Sequence, residues 1–323
     1  MKQQKLVLSN IDSFELSHIF DCGQCFRWDI QPDGSYIGVI KAGVMRVSKS
    51  GDSFVFEGVL DGDINSIVYD YFDLGTDYDL FKDRLKNIDS NMKKSIEFGY
   101  GIRILKQDLW EMIISFIISA NNNIPRIKGI INRISKKVGK MVSWNGVDYY
   151  LFPTVEELAQ LSVSDLRDLG TGFRDKRIYN TTQMILKNDV DLEVLKKLDD
   201  TNKIREELLR LDGVGEKVAD CISLFALRRF DSFPVDVWVR RVMNILYIHN
   251  DDETKVNKKQ IRDVAYELFG DIEGIAQQYL FYWARENFWI IFIIDRKINL
   301  NMIYWKQFYK GGYYGREFKR KII

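Results

Sequence analysis

The chain reads as an α+β protein in which a small antiparallel sheet precedes a helical region. Alternating apolar runs separated by glycine turns occupy roughly residues 5–60, and a helical period replaces them from about residue 105. Apolar residues make up 46% of the 323 positions and proline only 4, a composition that excludes disorder and fills a core in one or two domains.

The strands come first: Ser35 to Val39, Val44 to Ser48 and Ser53 to Val59, separated by Gly34, Gly43 and the polar cluster Lys49 to Asp52. Leu109 to Ala120 follows Asp108, an N-cap residue, and is apolar nearly all round, which predicts a buried central helix. The next helix starts at Pro125, tolerated where its missing N–H has no intrahelical partner, and carries the stripe Ile127, Ile130, Ile131, Ile134 and Val138. A capping box, Thr154 with Glu157, and the segments Asp175 to Leu186 and Val194 to Leu198 predict further helices. The expected organisation is a sheet domain over 1–104, a helical region over 105–290 and an extension of different composition over 291–323. That extension either hangs loosely outside the functional core or is a basic tail using Lys306, Lys310, Arg316, Lys319, Arg320 and Lys321.

Charge and cysteine usage restrict the function classes. With 47 Lys+Arg against 46 Asp+Glu, a polyanionic partner has to be gripped locally rather than by a polybasic tail. Three cysteines are too few for a disulfide framework, and no apolar run approaches the ~18 residues of a membrane span. A soluble protein of the reducing cytoplasm is expected.

The chemistry concentrates between residues 201 and 240. Thr201 to Leu211 is amphipathic, Asp212, Gly213, Val214 and Gly215 break it, and a helix resumes at Glu216 with Val218, Ile222 and Phe225 inward. Two glycines let the N–H groups at the second helix start point outward together, which makes a seat for a phosphate. A hairpin that merely packs two helices also uses a glycine, so this feature by itself is open.

Its context is more specific. Leu211-Asp-Gly-Val-Gly-Glu-Lys217 followed by Pro234-Val-Asp236 resembles the helix-hairpin-helix glycosylase superfamily, and a lysine at 217 resembles its bifunctional branch. Gly23-Gln-Cys-Phe-Arg-Trp28, Ser119-Ala-Asn-Asn-Asn-Ile-Pro-Arg126, Gly170-Thr-Gly-Phe-Arg174 and Lys217-Val-Ala-Asp-Cys221 narrow the likeness to the 8-oxoguanine DNA glycosylases, over roughly residues 5–288.

The resemblance implies roles for particular residues. Lys217 on its own is an ordinary solvated lysine. At a pocket mouth, burial and nearby cations would leave a neutral amine, and the resemblance has it attack C1′ of the damaged nucleoside and form a Schiff base. Asp236 suits a helix N-cap and, as a carboxylate, also stabilises positive charge on the sugar. Cys221 shares a helical face with Lys217 and is either core filling or one side of a sandwich around the extruded base, with Phe281 on the other side. Gln277 reads the base edge, since an amide both donates and accepts. The Gly23 carbonyl would accept from N7–H, the atom that oxidation converts from acceptor to donor.

On the DNA side, Asn121 would fill the hole left by the extruded base, and Phe173 would wedge beside the orphaned partner. Arg126 and Arg174 would donate to an estranged cytosine. Without the family pattern, Asn121 to Asn123 is a helix end and linker and Arg126 a surface charge. A cationic stripe of Lys217, Arg240, Arg241, Arg174 and Arg126 would meet the phosphates.

Some positions depart from the pattern. Trp238 stands where animal relatives have a phosphate-contacting His, and Cys25 replaces a Ser, creating Cys22-Gly-Gln-Cys25. With only His18 and His249 elsewhere, zinc is weakly supported, and the four-cysteine run of an iron-sulfur cluster is missing. A monovalent cation on the backbone carbonyls of Leu209, Leu211 and Val214 is implied by the resemblance alone. The expectation is a monomeric glycosylase/AP lyase acting on 8-oxoguanine in double-stranded DNA without an organic cofactor. Its rivals are a helix-hairpin-helix glycosylase for other oxidised or alkylated bases and a non-catalytic DNA-binding protein.

Overall fold

Strand alternation builds the first layer. In the computed structural model, which describes residues 1–252 and 255–296 and side chains as far as 287, five strands form one antiparallel sheet. They are β1 (Lys2–Ser9), β2 (Trp28–Ile30), β3 (Tyr36–Ile40), β4 (Gly43–Ser50) and β5 (Ser53–Leu60), in the order β1-β5-β4-β3-β2. Register pairs Val47 with Phe56 and Tyr36, so one face gathers Tyr36, Met45, Val47, Phe54, Phe56 and Leu60 against Phe14, Phe20 and Phe72. Trp28 stacks on Phe20 with ring centroids 4.1 Å apart and lies flat on Gly38. A Cβ at Gly38 would come within 2.2 Å of that indole, so the Trp28 end of the motif needs a glycine opposite it. Val44 on the other face packs with Val142 and Trp144 from the hairpin β6 (Met141–Trp144) and β7 (Val147–Tyr150).

The N-terminal region also contains helices α1 (Leu16–Phe20), α2 (Ile64–Tyr71), α3 (Tyr78–Lys86) and α4 (Ser90–Phe98). The last three extend the expected sheet domain with helical structure. Each begins behind an aspartate, Asp63, Asp77 or Asp89, whose carboxylate accepts first-turn N–H groups.

The central helix α5 (Leu109–Ser119) is buried on every side, capped by Asp108 through a 3.0 Å bond from the Glu111 N–H. Asn123 caps α6 (Ile124–Val138), which has Pro125 in its first turn and buries Ile127, Ile130, Ile131 and Ile134. Capping boxes start α7 (Val155–Leu158) and α8 (Val163–Leu166). Then come α9 (Asp175–Leu186), α10 (Leu192–Lys197), α11 (Thr201–Leu209), α12 (Glu216–Leu227), α13 (Val237–Met243), α14 (Lys258–Phe269) and α15 (Glu273–Arg296).

Contacts divide the chain into Met1–Arg285 and Glu286–Ile323. The expected extension lies largely outside the described residues, and so do all its basic side chains. No described helix is long and apolar enough to cross a membrane.

Candidate active site

The turn between α11 and α12 is built as its glycines require. Gly213 has φ +86°, and a Cβ there would sit 2.9 Å from the Arg177 side chain, so only glycine fits without displacement. The Val214 N–H closes the turn on the Leu211 carbonyl at 3.1 Å, and Thr181 on α9 donates to the Asp212 carbonyl at 2.7 Å. Gly215 is the N-cap of α12 and supplies no side-chain acceptor to its first-turn N–H groups. A Cβ at Gly215 would meet nothing within 4 Å. The start of α12 is therefore an open cluster of donors carrying the positive end of the helix dipole.

At the second position of α12, half-buried Lys217 extends over the ring of Phe116 on α5, with Nζ 5.3 Å from its centroid. The same ring packs edge-on against Phe26 at 5.5 Å and stacks with Phe225 at 5.7 Å. Phe26 belongs to the loop from Gly23 to Trp28, so the ring joins that loop to the lysine helix. Asp236 caps α13, accepting the Val239 N–H at 2.8 Å, and burial raises its carboxyl above the usual range.

The charge state of Lys217 differs from the sequence expectation. Burial disfavours the ammonium, but nearby Cys221 and the carboxylates of Asp236 and Asp220 outweigh burial and raise its pKa above the ordinary lysine value. The resting group is thus an ammonium ion and not a neutral amine. Cys221 is buried, which pushes its thiol up to about 11, so it is uncharged at neutral pH.

On α15, Gln277 is 5% exposed, and its Oε1 is buried without a protein hydrogen-bond partner. Such an orphan costs ~1–3 kcal/mol unless something binds to it. One turn further, Phe281 faces Gly23: a Cβ on that glycine would lie 3.0 Å from the ring and 3.3 Å from Arg285 Nη1. Gly23 has φ +88°. The loop glycine, the aromatic residue and the amide-bearing turn are thereby brought to one place.

A second group lies on the segments 119–126 and 170–177. Asn121 is exposed in the left-handed region with φ +51°, Arg126 is exposed, and Phe173 is 58% exposed on a kink where Gly170 and Gly172 have φ +85° and +61°. Arg174 departs from expectation. It is 2% exposed, and its Nε donates to the Ala120 carbonyl at 3.0 Å, Nη2 to Asn121 at 2.9 Å and Nη1 to Thr171 at 3.2 Å. Its guanidinium ties the two loops together and leaves little of its donor set for a base. The residue that sequence reasoning missed is Arg177, exposed one turn after Arg174 and 5.6 Å from the Phe173 ring centroid. Its signal was the i, i+3 spacing of two arginines beside an aromatic. Of the arginines expected in the cationic stripe, Arg174 is thus buried, and Arg177 is the exposed arginine beside it. Arg241 stacks on Trp238 at 5.8 Å.

Cys22 and Cys25 are buried thiols, and among the described residues no three His, Cys, Asp or Glu side chains converge as metal ligands. At the hairpin, the Leu211 carbonyl keeps a second lone pair beyond its bond to Val214, which is compatible with a weakly held cation there.

Two protein-family models match the chain: the N-terminal domain of 8-oxoguanine DNA glycosylase over residues 6–113, and the superfamily of helix-hairpin-helix base excision DNA repair proteins over residues 114–265. Among solved structures, the 8-oxoguanine glycosylase/lyase of Clostridium acetobutylicum, in complex with double-stranded DNA containing cytosine opposite 8-oxoguanine, is 44% identical. It covers 88% of this chain and 97% of that one, with a TM-score of 0.83. The probable N-glycosylase/DNA lyase of Methanothermobacter thermautotrophicus is 33% identical over 67% of this chain and 73% of its own length. The N-glycosylase/DNA lyase of Saccharomyces cerevisiae is 30% identical over 77% and 71%.

Proposed function

The chain belongs to the 8-oxoguanine DNA glycosylase family of helix-hairpin-helix repair proteins, and on that premise we infer that Lys217 and Asp236 carry out its chemistry. It is a base-excision repair enzyme with glycosylase and lyase activities that removes 8-oxoguanine from duplex DNA. The observation that supports the assignment of residues is that Lys217 extends over the Phe116 ring against which the Gly23 loop also packs through Phe26, and lies near enough to Asp236 for that carboxylate to favour its ammonium form.

Lys217 first gives up a proton. Its Nζ lone pair then bonds to C1′ as the C1′–N9 bond breaks, and the base leaves with that bonding pair. The C1′–O4′ bond then breaks as O4′ takes up a proton given by Nζ, leaving a protonated C1′=Nζ imine; transfer of a C2′ proton to water forms the C2′=C3′ bond and breaks C3′–O, so that the 3′ phosphate leaves with that electron pair. Asp236, held at the start of α13, faces the positive charge that develops on the sugar. Cys221 and Phe281 flank the base as a thiol and a ring, and the amide of Gln277 pairs with its edge. Asn121, Arg126, Phe173 and Arg177 occupy the opened duplex, with Arg174 holding their loops. The hairpin of Gly213, Val214 and Gly215 seats a phosphate, and a cation at the hairpin carbonyls would reinforce it. The enzyme acts as a monomer on DNA in the cytoplasm.

The test is a panel of duplexes with one lesion each. Single-turnover strand cleavage is expected with 8-oxoguanine opposite cytosine, and borohydride should trap a covalent adduct with that duplex and not with one carrying an alkylated purine. Faster cleavage of an alkylated purine would overturn the lesion assignment, and binding without any adduct would leave only a DNA-binding protein.

Gly23→Ala is expected to reduce 8-oxoguanine excision. The left-handed φ costs a non-glycine residue about 1–2 kcal/mol, and the added methyl contacts Phe281 and Arg285. The loss should be roughly 10-fold or more in affinity for the lesion duplex, measured by titration, with the melting temperature lowered by a few degrees because the strain is carried by the folded state.

A further inference from the structure

Gly23 sits between two peptide groups that are each held by a glutamine. On one side, Gln278 Nε2 donates to the Cys22 carbonyl at 2.7 Å across a separation of 256 residues. On the other, Gln107 Nε2 donates to the Gln24 carbonyl at 2.8 Å. The Gln24 side chain anchors the same turn, donating to the carbonyls of Ile19 at 2.9 Å and Arg103 at 2.8 Å and accepting the Leu105 N–H at 2.9 Å. Gln24, Gln107 and Gln278 are 0%, 7% and 1% exposed, so water does not substitute for these bonds. Gln107 also donates its own N–H to the Phe225 carbonyl on α12 at 3.1 Å, which ties the cradle to the helix carrying Lys217.

With the Cys22 carbonyl, the Gln24 carbonyl and the Gln24 side chain all held, only the torsions of Gly23 and Gln24 lie between the fixed groups, and that short span restricts the direction of the Gly23 carbonyl. Gln278 is adjacent to Gln277, and successive helical residues point about 100° apart. One turn of α15 therefore presents an amide to the base edge with one residue and grips the loop bearing the N7 acceptor with the next.

We propose that Gln278 is a specificity-positioning residue: through the Cys22 carbonyl it sets the distance between the Gly23 acceptor and the Gln277 amide, and so the discrimination of 8-oxoguanine from guanine. This rests on the lesion assignment above. Gln278 does not touch the base, and its effect should be confined to substrates that still carry one.

The experiment uses the full chain with Gln278→Met, which removes the donor at similar volume, and Gln278→Glu, which sets an acceptor against the Cys22 carbonyl. Two single-turnover rates are read: excision of 8-oxoguanine opposite cytosine, and strand cleavage at a preformed abasic site, which involves no base. Excision should fall by at least about 10-fold in both variants, because a buried carbonyl loses its partner. Abasic-site cleavage should stay within about twofold of wild type, since the lysine and hairpin are untouched. Equal loss of both activities in both variants, or no loss of excision, would overturn the proposal. Wild-type protein that cleaves abasic sites but leaves 8-oxoguanine in place would instead overturn the lesion assignment.

Discussion

Lys217→Gln should lower excision of 8-oxoguanine by about 10⁴-fold or more and eliminate the borohydride-trapped adduct, while lesion-duplex affinity stays within about tenfold. A glutamine amide fills similar space over Phe116 but has no basic lone pair for C1′. The hairpin donors belong to the backbone and survive the change. Single-turnover cleavage and gel shift separate the two effects, and an undiminished adduct would assign the nucleophile elsewhere. The raised pKa of Lys217 adds a pH dependence. Because its neighbours, the Asp236 carboxylate among them, hold the ammonium form against burial, the attacking amine is scarce at neutral pH. Wild-type excision should therefore rise from neutral toward alkaline pH, by up to tenfold per unit below the lysine pKa.

Much of the fold was legible because its signals are local. Helix α12 begins where Gly215 places it, and Asp108, Thr154 with Glu157, and Pro125 mark their helix starts. The central sheet strands follow alternation. What escaped was β1, whose exposed Lys2, Gln3 and Lys5 interrupt a pattern that only its pairing with β5 completes. The short α2, α3 and α4 also escaped, because brief amphipathic segments behind aspartates resemble loops until they pack. In the site, residue types were readable and environments were not. The buried state of Arg174 depends on carbonyls more than fifty residues away, the role of Gln278 on a carbonyl at the other end of the chain, and the charge of Lys217 on the balance of two neighbours against burial. Each is a long-range consequence of packing that no local spacing encodes.

Asp236→Asn is expected to act in two opposite directions, and that opposition makes it diagnostic. The asparagine Oδ1 can still accept the Val239 N–H, so the cap of α13 persists and stability should change little. The negative charge does not persist. In the transition state the sugar loses its counter-charge, and the maximal single-turnover rate should drop by about 10²–10⁴-fold. In the resting enzyme, Lys217 loses one of the groups that hold its proton against burial, so its pKa moves down. The pH at which the rate levels off should consequently shift below that of the wild type, even as the level itself falls. A cap that simply failed would lower the melting temperature and reduce the rate equally at every pH. An unshifted profile with full thermal stability would mean that Asp236 is electrostatically remote from the amine, and the pairing on which the proposed chemistry depends would be lost.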